Sequence, residues 1–335
     1  MFPSWRKIRV LGEGTYGSVS LAITILPKEV QGVLIAVKSS KPHGEESLQK
    51  EEGVLKLFFG CKEIIQCVGG APTIENGRYV YNLLLEFAPF GSLGNLIRRR
   101  KSILESEVKV YARMLLKGLS LIHQSGVVHC DLKPDNVLLF PGLEYGVEYQ
   151  LKIGDFGLSK TKDDKFDVGF LKMRFRGTPY YMSPESVMGQ IEAPLDIWSL
   201  GCMVIEMLTG LPAWHHVPTT RDLRFKLGLL KEAPPLPSNL SSVCEDFLNK
   251  CFVKDPNQRW TANMLLNHPF LSITDNILWE NEAVIASNVI NTGYASGLEL
   301  ENDSPQMTQV DMPNSRSFCD KLSSLLPHDL LSLLE

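Results

Sequence analysis

The sequence VVHCDLKPDNVLL, residues 127–139, says more about the architecture of this chain than any other stretch. His129, Asp131, Lys133 and Asn136 follow the spacing H-x-D-x-x-x-x-N, which is typical of a loop that transfers phosphoryl groups. Asp131 is placed to accept the proton of an acceptor hydroxyl, and Lys133 can lie against the γ-phosphate. An arginine usually precedes the catalytic aspartate, and Cys130 stands there in this chain. We therefore ask whether the cysteine marks a dead enzyme, an unregulated one or one that is switched by other means.

A glycine pattern upstream predicts a nucleotide site. Residues 11–19, LGEGTYGSV, form a complete G-x-G-x-x-G-x-V. The pattern lies between two strand patterns and not between a strand and a helix. It therefore argues against a Rossmann turn and favours a hairpin whose backbone amides close over phosphates. Gly12, Gly14 and Gly17 would let the main chain approach the phosphates without Cβ clashes.

A lysine and a carboxylate are expected beside this hairpin. IAVK, residues 35–38, ends an apolar strand with Lys38, which can reach the α- and β-phosphates as a compact charge. The helical stretch that follows places Glu51 on its apolar face, directed towards the sheet, so Glu51 is the expected partner of Lys38. Glu52 is the alternative, and it points about 100° away from Glu51. The same periodicity puts Phe59 on the buried face of the helix.

The stretch KIGDFGLSK, residues 152–160, completes the predicted site. It supplies Asp155, which together with Asn136 would hold magnesium, an ion that prefers oxygen ligands and bridging phosphate oxygens. Such a site does little covalent chemistry, so positioning and charge neutralisation would supply the rate. The alternative, a chance match to the loop pattern, does not explain why all these elements occur in this order.

Periodicity divides the chain into two unlike parts and a tail. The first third alternates apolar and polar residues between turn signals, as antiparallel strands do, and from about residue 92 the apolar residues recur at helical spacing. The predicted fold is therefore α+β, with a strand-rich lobe over 5–87 and a helical lobe over 88–271. Residues 272–335 are predicted to be a mostly disordered tail. A leucine stripe at 318–334 would either pack on the surface as a strap or dock a partner.

Composition excludes several classes of protein. The net charge of −4 gives no general affinity for polyanions, so no nucleic-acid partner is expected. The basic run RRRK at 98–101 is interpreted as a solvated helix face, with a nuclear address or a docking point for an acidic partner as alternatives. Seven cysteines without a CxxC pair suit a reducing compartment. There is no signal-peptide core and no apolar run near the roughly 18 residues of a spanning helix. We expect a cytoplasmic protein that meets no membrane, with nuclear entry left open.

Residues 5–271 resemble the eukaryotic protein kinase family. Besides the stretches quoted above, LLLEFAPFGSL at 83–93 resembles the hinge that holds adenine, and GTPYYMSPE at 177–185 resembles the substrate-side end of the activation segment. Lys133 and Thr178 resemble the serine/threonine-specific group, and the layout is most similar to plant mitogen-activated protein kinase kinase kinases. The resemblance implies a bilobal kinase fold that uses ATP and Mg²⁺ to phosphorylate a protein substrate, namely a mitogen-activated protein kinase kinase.

The resemblance also implies contacts and binding residues that the patterns alone do not give. Glu185 would pair with Arg259, and Asp196 would brace the catalytic loop. Leu85 would be the gatekeeper of the adenine pocket. Glu86 and Ala88 would offer backbone groups to adenine. The residues implied to bind the nucleotide are Leu11, Gly12, Gly14, Gly17, Val19, Ala36, Lys38, Leu85, Glu86 and Ala88.

Cys130 is interpreted through the same resemblance. In the family, the arginine before the catalytic aspartate holds a phosphorylated residue of the activation segment, and the equivalent position here is Arg174, which cannot be phosphorylated. Such a charge-assisted bond contributes roughly 1.5–3 kcal/mol, so its absence matters to regulation. We expect an active kinase that does not need phosphorylation there, in which Asp163, Asp164 and Asp167 could supply fixed negative charge. Cys130 itself is expected to be a small packed residue and not a redox switch.

A pseudokinase or scaffold that binds partners through its tail is the alternative function. Such proteins usually lack the lysine, the catalytic aspartate or the metal-binding aspartate, whereas Lys38, Asp131 and Asp155 are all present. A mixed case is an active domain whose tail docks a substrate or an inhibitor. Ser304, followed by proline, would then be a site for feedback by a proline-directed kinase.

Overall fold

Five antiparallel strands build the first lobe, in the order β1-β2-β3-β5-β4. Alternation along β3 divides its side chains between two cores. Ile35 and Val37 pack on one face of the sheet, whereas Ala36 points to the larger core that continues into the second lobe. The strands are β1 Ser4–Glu13, β2 Gly17–Ile25, β3 Leu34–Ser40, β4 Cys67–Glu75 and β5 Arg78–Glu86.

Helix α1, Glu45–Lys56, packs on β4 and β5. Its buried face agrees with the predicted one as far as Leu55. The prediction that Phe59 continues this face was wrong, because Phe59 is 76% exposed and Phe58 is 2% exposed. The last turn closes with a bond from the Phe58 N–H to the Leu55 carbonyl (3.0 Å), which is an i→i−3 contact. With three residues per turn, the residue that follows Leu55 on the buried face is Phe58.

Helices build the second lobe around α3 and α5, which are buried along most of their length. Five of the helices begin after a serine or threonine whose side chain accepts a backbone N–H, as N-caps do. Gly126 follows α3 with φ of 72°, a left-handed conformation that favours glycine after a helix. The helices are α2 Leu93–Arg100, α3 Glu105–Gln124, α4 Pro184–Val187, α5 Pro194–Thr209, α6 Thr220–Gly228, α7 Ser242–Cys251 and α8 Ala262–Leu266.

A two-stranded hairpin lies where the lobes meet. Its strands are β6 Val137–Pro141 and β7 Tyr149–Ile153, which pair antiparallel and follow the catalytic loop. Lys152 on β7 bonds the carboxylate of Glu86, the last residue of β5, at 2.7 Å and so joins the lobes. The order of strands first and helices second confirms the predicted α+β class with two unlike lobes. The boundary at 87/88 stays a prediction.

The basic run at 98–101 ends helix α2. Arg98 Nη2 lies 3.0 Å from Asp135 Oδ1, and Arg100 Nη1 lies 2.8 Å from Glu107 Oε2. Two of the three arginines therefore pair with carboxylates of the same lobe. The interpretation as a helix face agrees with this placement, and nuclear entry stays a prediction.

This computed structural model describes residues 4–14, 17–25, 32–142, 146–162, 164 and 176–272. The predicted tail after Ser272, with its leucine stripe and Ser304, lies outside the described residues, as do Asp163, Asp167 and Arg174. In the part that is described, no helix is both long and apolar enough to cross a membrane.

Candidate active site

One face of the first sheet forms a wall towards the second lobe. Strand pairing sets Ala36 opposite Leu85, and Lys38 opposite both Val19 and Leu83. Because directly paired residues point to the same face of a sheet, these side chains form one surface. The apolar members belong to the same core as residues of the second lobe. The sheet therefore brings together three of the predicted nucleotide-binding positions, Val19, Ala36 and Leu85, around Lys38.

The glycine hairpin forms the edge of this wall. The Gly14 N–H donates to the Gly17 carbonyl at 2.8 Å, and Lys41 Nζ bonds the Gly14 carbonyl at 2.6 Å. A Cβ at Gly12 would meet nothing within 4 Å, which leaves open space beside the main chain. A Cβ at Gly17 would lie 2.2 Å from the Ser39 carbonyl. Gly17 is therefore required first by its close approach to β3, a reason that the sequence did not show.

The predicted hinge follows β5. The Glu86 N–H donates to the Gln66 carbonyl at 3.0 Å, and the Ala88 carbonyl accepts the Gly91 N–H at 3.3 Å. The Glu86 N–H and the Ala88 carbonyl are therefore already bonded within the protein. The Glu86 carbonyl and the Ala88 N–H are the backbone groups of these two residues that could meet adenine. Leu11, the other predicted contact on this side, lies on β1 and is 38% exposed.

Lys38 lies between two carboxylates. Its Nζ is 2.6 Å from Glu51 Oε2 and 2.7 Å from Asp155 Oδ1. The structure places Glu51 on Lys38, whereas Glu52 turns away and bonds the Tyr81 hydroxyl and the Gly70 N–H. The contact joins β3, α1 and the segment after β7, so the position of α1 determines the position of the lysine.

Burial and charge act in opposite directions on these three groups. Burial lowers the pKa of Lys38, but the charges of Glu51 and Asp155 outweigh it and hold that pKa above its ordinary value. Burial raises the pKa of Glu51 and outweighs the effect of Lys38. Burial also acts to raise the pKa of Asp155, but the Lys38 charge prevails and lowers it. The lysine and Asp155 are therefore charged at neutral pH.

Phe156 connects the catalytic loop to α1. Its ring stacks on Phe58 with centroids 5.9 Å apart and meets the edge of His129 at 4.9 Å. The Phe156 N–H also donates to Glu51. His129 Nε2 lies 3.0 Å from the Gly154 carbonyl, and the Asp131 N–H approaches His129 Nδ1 at 3.3 Å. These two contacts suit a neutral imidazole that carries its proton on Nε2.

Three donors hold the carboxylate of Asp131. Lys133 Nζ lies 2.7 Å from Oδ2, the Asn136 amide donates to Oδ2 at 3.1 Å, and the Thr178 hydroxyl donates to Oδ1 at 2.7 Å. Lys133 also bonds the Thr178 hydroxyl at 2.9 Å. The structure therefore brings Asp131, Lys133 and Asn136 together, and adds Thr178 from the activation segment. A base that is fixed in this way can accept a proton from a hydroxyl placed beside it.

Asn136 and Asp155 provide oxygen atoms that fit magnesium. The Gly154 N–H donates to the Asn136 carbonyl at 2.8 Å, which brings the residue before Asp155 against the catalytic loop. Asn136 uses its amide nitrogen on Asp131, which leaves the amide oxygen for another partner. The Asp155 side chain is 47% exposed. An amide oxygen and an open carboxylate are the hard ligands that magnesium prefers.

Asp196 of α5 supports the backbone of the catalytic loop. Its buried carboxylate accepts the N–H of His129 at 2.9 Å and the N–H of Cys130 at 3.0 Å, and it also meets His123 at 2.9 Å. These bonds stabilise Cys130 at φ of 70°, a left-handed conformation that is unfavourable for a side chain other than glycine. The predicted bracing by Asp196 is confirmed.

A second buried contact supports the substrate-side segment. Arg259 Nη2 lies 3.0 Å from Glu185 Oε2, and Arg259 Nη1 contacts the other oxygen of Glu185. The same guanidinium bonds the Pro194 carbonyl at 2.8 Å at the start of α5. The predicted Glu185–Arg259 pair is confirmed, and it fixes α4, which follows the activation segment.

Cys130 is 5% exposed and packs against Val128 and Leu195. Burial raises the pKa of its thiol to about 12. The packed interpretation therefore agrees with the structure, and the thiol lacks the low pKa of a reactive cysteine.

We expect a maleimide at pH 7.5 to label the half-buried Cys61 and Cys67 of the native protein before Cys130. Peptide mapping by mass spectrometry should show Cys130 reacting at least about tenfold more slowly than Cys61, because its thiol is both less accessible and less ionised. Unfolding in urea should remove the difference. Equal labelling of Cys130 and Cys61 in the native protein would contradict the packed assignment.

Three functional contacts were not predicted from the sequence. The stacking of Phe58 on Phe156 was not predicted, because Phe59 was expected on the buried face, and the donation from Thr178 to Asp131 had no signal beyond a family likeness. Lys50 on α1 contacts Asp164, a residue 114 positions later, and no pattern in the sequence links them.

Comparison with known proteins finds similarity to protein kinases throughout. The protein kinase domain matches residues 5–271. The chain is 40% identical over 274 residues to mitogen-activated protein kinase kinase kinase 20 of Arabidopsis thaliana, covering 80% of this chain and 78% of that protein. It is 36% identical over 297 residues to mitogen-activated protein kinase kinase kinase 17 of the same plant, covering 87% of this chain and 75% of that protein. It is 34% identical over 285 residues to the serine/threonine-protein kinase BCK1/SLK1/SSP31 of Saccharomyces cerevisiae, covering 81% and 18%.

Proposed function

From the premise that this chain belongs to the protein kinase family, as a serine/threonine kinase, we propose that it transfers the γ-phosphate of magnesium-bound ATP to a mitogen-activated protein kinase kinase. We further propose that it does so without prior phosphorylation of its own activation segment. Named relatives that cover most of the chain support the substrate class. The contacts described above support the chemistry.

The observation that carries the proposal is the set of contacts around Asp131. A serine or threonine hydroxyl of the substrate would approach the carboxylate beside Thr178, and Asp131 would orient it and accept its proton. Lys133, which already lies on both Asp131 and Thr178, would meet the transferred phosphoryl group from the same side. Base and cation are therefore positioned before the substrate arrives, which reduces the reorganisation that transfer requires.

The nucleotide would lie against the wall of the first sheet. Adenine would meet the Glu86 carbonyl and the Ala88 N–H, with Val19, Ala36 and Leu85 as its apolar surroundings. Gly12 and Gly14 would cover the phosphates, and Lys38 would neutralise their charge from the position that Glu51 gives it.

Asn136 and Asp155 would hold magnesium. Among the described residues no group of three or more His, Cys, Asp or Glu side chains could hold a metal ion, so phosphate oxygens of the nucleotide would complete the ligands. Bound magnesium would neutralise charge on the phosphates. The protein's part is to offer the amide oxygen of Asn136 and the carboxylate of Asp155, which also meets Lys38.

The arrangement around Cys130 supports the proposed independence from phosphorylation. Asp131, Lys133 and Asn136 are held together by bonds within the catalytic loop itself, and Cys130 offers no guanidinium for a phosphate. We expect bacterially produced protein, treated with a phosphatase, to keep its kcat within about twofold of the untreated protein, because a bond of about 1.5–3 kcal/mol to a phosphate is not part of its active arrangement. Mass spectrometry should verify that the phosphate has been removed. A collapse of activity that phosphorylation restores would contradict the proposal.

The test of the function itself is phosphate transfer from ATP and magnesium to a catalytically inactive kinase kinase. The dephosphorylated full chain should label that substrate on serine or threonine, and binding of ATP should be measured in parallel by calorimetry. Binding without transfer would overturn the proposal and favour the scaffold as the function of this chain.

A further inference from the structure

Asp164 makes contacts that the proposed catalytic steps do not use. Its Oδ2 lies 2.6 Å from Lys50 Nζ and 3.4 Å from Arg176 Nη1. Thr161 also bonds the carboxylate, through its N–H to Oδ2 and its hydroxyl to Oδ1, both at 3.3 Å. The Asp164 side chain is 19% exposed. A single carboxylate thus joins a lysine of α1 to an arginine at the end of the activation segment.

The two cations share a second acceptor. The Ser159 carbonyl accepts Lys50 Nζ at 3.0 Å and Arg176 Nη1 at 3.2 Å. The Ser159 hydroxyl in turn donates to the Phe156 carbonyl at 2.8 Å. The carboxylate and the carbonyl therefore hold both cations from the segment that begins at Asp155. We call Lys50, Ser159, Asp164 and Arg176 the charge clamp.

The charge clamp touches neighbours of the catalytic groups on both sides. Lys50 precedes Glu51, the residue that holds Lys38. Arg176 precedes Gly177 and Thr178, and the Thr178 hydroxyl donates to Asp131. A Cβ at Gly177 would lie 2.5 Å from the Cys130 carbonyl, so the segment after Arg176 is pressed against the catalytic loop. Through these neighbours, the clamp links the orientation of α1 to the substrate side of the site.

Arg176 of the clamp lies near the position of the missing arginine. Arg176 and Cys130 line one small cleft, so a guanidinium lies beside the position where the family carries its arginine. The anion that it meets belongs to Asp164 and is permanent. Charge–charge contacts of this partly buried kind keep the pKa of Asp164 low: burial alone would raise that pKa, and the bond and charge of Lys50 outweigh the effect.

We propose that Asp164 is a positioning residue. With Lys50 and Arg176 it holds α1 and the end of the activation segment in the arrangement that phosphoryl transfer needs, where a phosphorylated residue would do so in related enzymes. The inference rests on the proposed function, because it concerns the same active site. It specifies that the Asp164 carboxylate takes the place of the phosphate and that Lys50 and Arg176 are the cations that bind this carboxylate.

The test compares Asp164→Asn, Asp164→Glu and Lys50→Met in dephosphorylated full-length protein. We expect Asp164→Asn to lower kcat about tenfold, the size of a lost charge-assisted bond, while the KM for ATP stays within about twofold, since Asp164 does not touch the nucleotide site. Asp164→Glu should recover part of the loss. Lys50→Met should lower kcat to a similar extent, and the double variant Lys50→Met/Asp164→Asn should be no worse than either single change.

The matched control is Glu232→Gln, which removes the half-exposed Lys226–Glu232 pair at 2.8 Å in the second lobe. It should change kcat by less than about twofold. Hydrogen–deuterium exchange gives a readout that does not need activity. Amides of α1 should exchange faster in Asp164→Asn than in wild type, and should be unchanged in Glu232→Gln.

Wild-type kcat in Asp164→Asn, or losses from Lys50→Met and Asp164→Asn that multiply in the double variant, would overturn the proposal. If the wild type transfers no phosphate at all, the proposed function fails, and exchange at α1 still decides whether the clamp exists. Unchanged exchange in Asp164→Asn would then reject the clamp as well.

Discussion

Asp131→Asn should lower kcat about 10³-fold, which corresponds to about 4 kcal/mol of lost transition-state stabilisation, while the Kd for ATP changes by less than about threefold. The amide has nearly the shape of the carboxylate but cannot accept the proton of the substrate hydroxyl. The contacts of Asp131 are with the loop and the activation segment, namely Lys133, Asn136 and Thr178. Single-turnover transfer to the inactive kinase kinase, with ATP binding by calorimetry, measures both quantities.

The substitution also has a cost for folding. Both oxygens of Asp131 accept hydrogen bonds, so the new NH₂ group must face a donor on one side. We expect a loss of about 1–2 kcal/mol in the free energy of unfolding, and activity should be measured well below the midpoint temperature. Asp255→Asn, the same change at an exposed turn between α7 and α8, is the control and should keep kcat within about twofold. If Asp131→Asn retains more than about a tenth of the wild-type kcat, Asp131 is not the base.

Lys38→Met should remove activity by about 10²-fold or more and destabilise the fold as well. Glu51, whose side chain is 1% exposed, would lose its cation in a buried position. Breaking a buried pair from one side typically costs about 3–5 kcal/mol, because the remaining charge is left unpaired. Urea denaturation and transfer assays on the same samples separate the two effects.

The loss of stability should depend on pH. Burial already raises the pKa of Glu51 in the folded protein, and removing Lys38 takes away the charge that lowers it. A carboxyl group with a raised pKa in the folded state destabilises the fold progressively as pH rises from the ordinary pKa of the unfolded chain towards the raised folded pKa, because over that interval only the unfolded chain is ionised. The deficit of Lys38→Met relative to wild type should therefore grow as pH rises from the ordinary glutamate pKa of about 4.3 into the neutral range. A deficit that is constant over this range would contradict the assignment to Glu51.

A double variant separates the loss of stability in Lys38→Met from its loss of activity. Lys38→Met/Glu51→Leu removes both charges and should bring the free energy of unfolding to within about 1 kcal/mol of wild type, with activity still absent. Lys7→Met is the matched control, since it breaks the half-exposed Lys7–Glu75 pair and should cost no more than about 1 kcal/mol. Recovery of activity in the double variant would show that Lys38 acts only through folding.

The helical repeat explains why the direction of Glu51 was predicted correctly and that of Phe59 was not. Glu51 lies mid-helix, where residues recur every 3.6 positions, so its direction could be predicted from the apolar face. Phe59 lies beyond the helical end at Lys56, where an i→i−3 bond shortens the turn and brings Phe58 to the buried face instead. The 3.6-residue repeat predicts the direction of a side chain only as far as the α-helical geometry continues.

The long-range contacts of Thr178 and Asp164 could not be predicted from the sequence for another reason. The residues of the catalytic loop are neighbours in the chain, so their spacing carries information about their joint role. Thr178 reaches Asp131 across 47 positions, and Asp164 reaches Lys50 across 114. With 34 lysines and arginines and 38 aspartates and glutamates in the chain, only the folded structure selects which charges meet.

The contacts of Asp131 also set how many partners it can still take. A carboxylate has about four lone-pair sites. Lys133 and Asn136 take two sites on Oδ2, and Thr178 takes one on Oδ1. Within the part of the chain that the structure describes, these contacts leave one site, on the oxygen that Thr178 already touches. In the proposed mechanism a substrate hydroxyl and a water molecule would therefore compete for this single site, and a docked protein substrate that fills it would keep Asp131 from activating water against ATP.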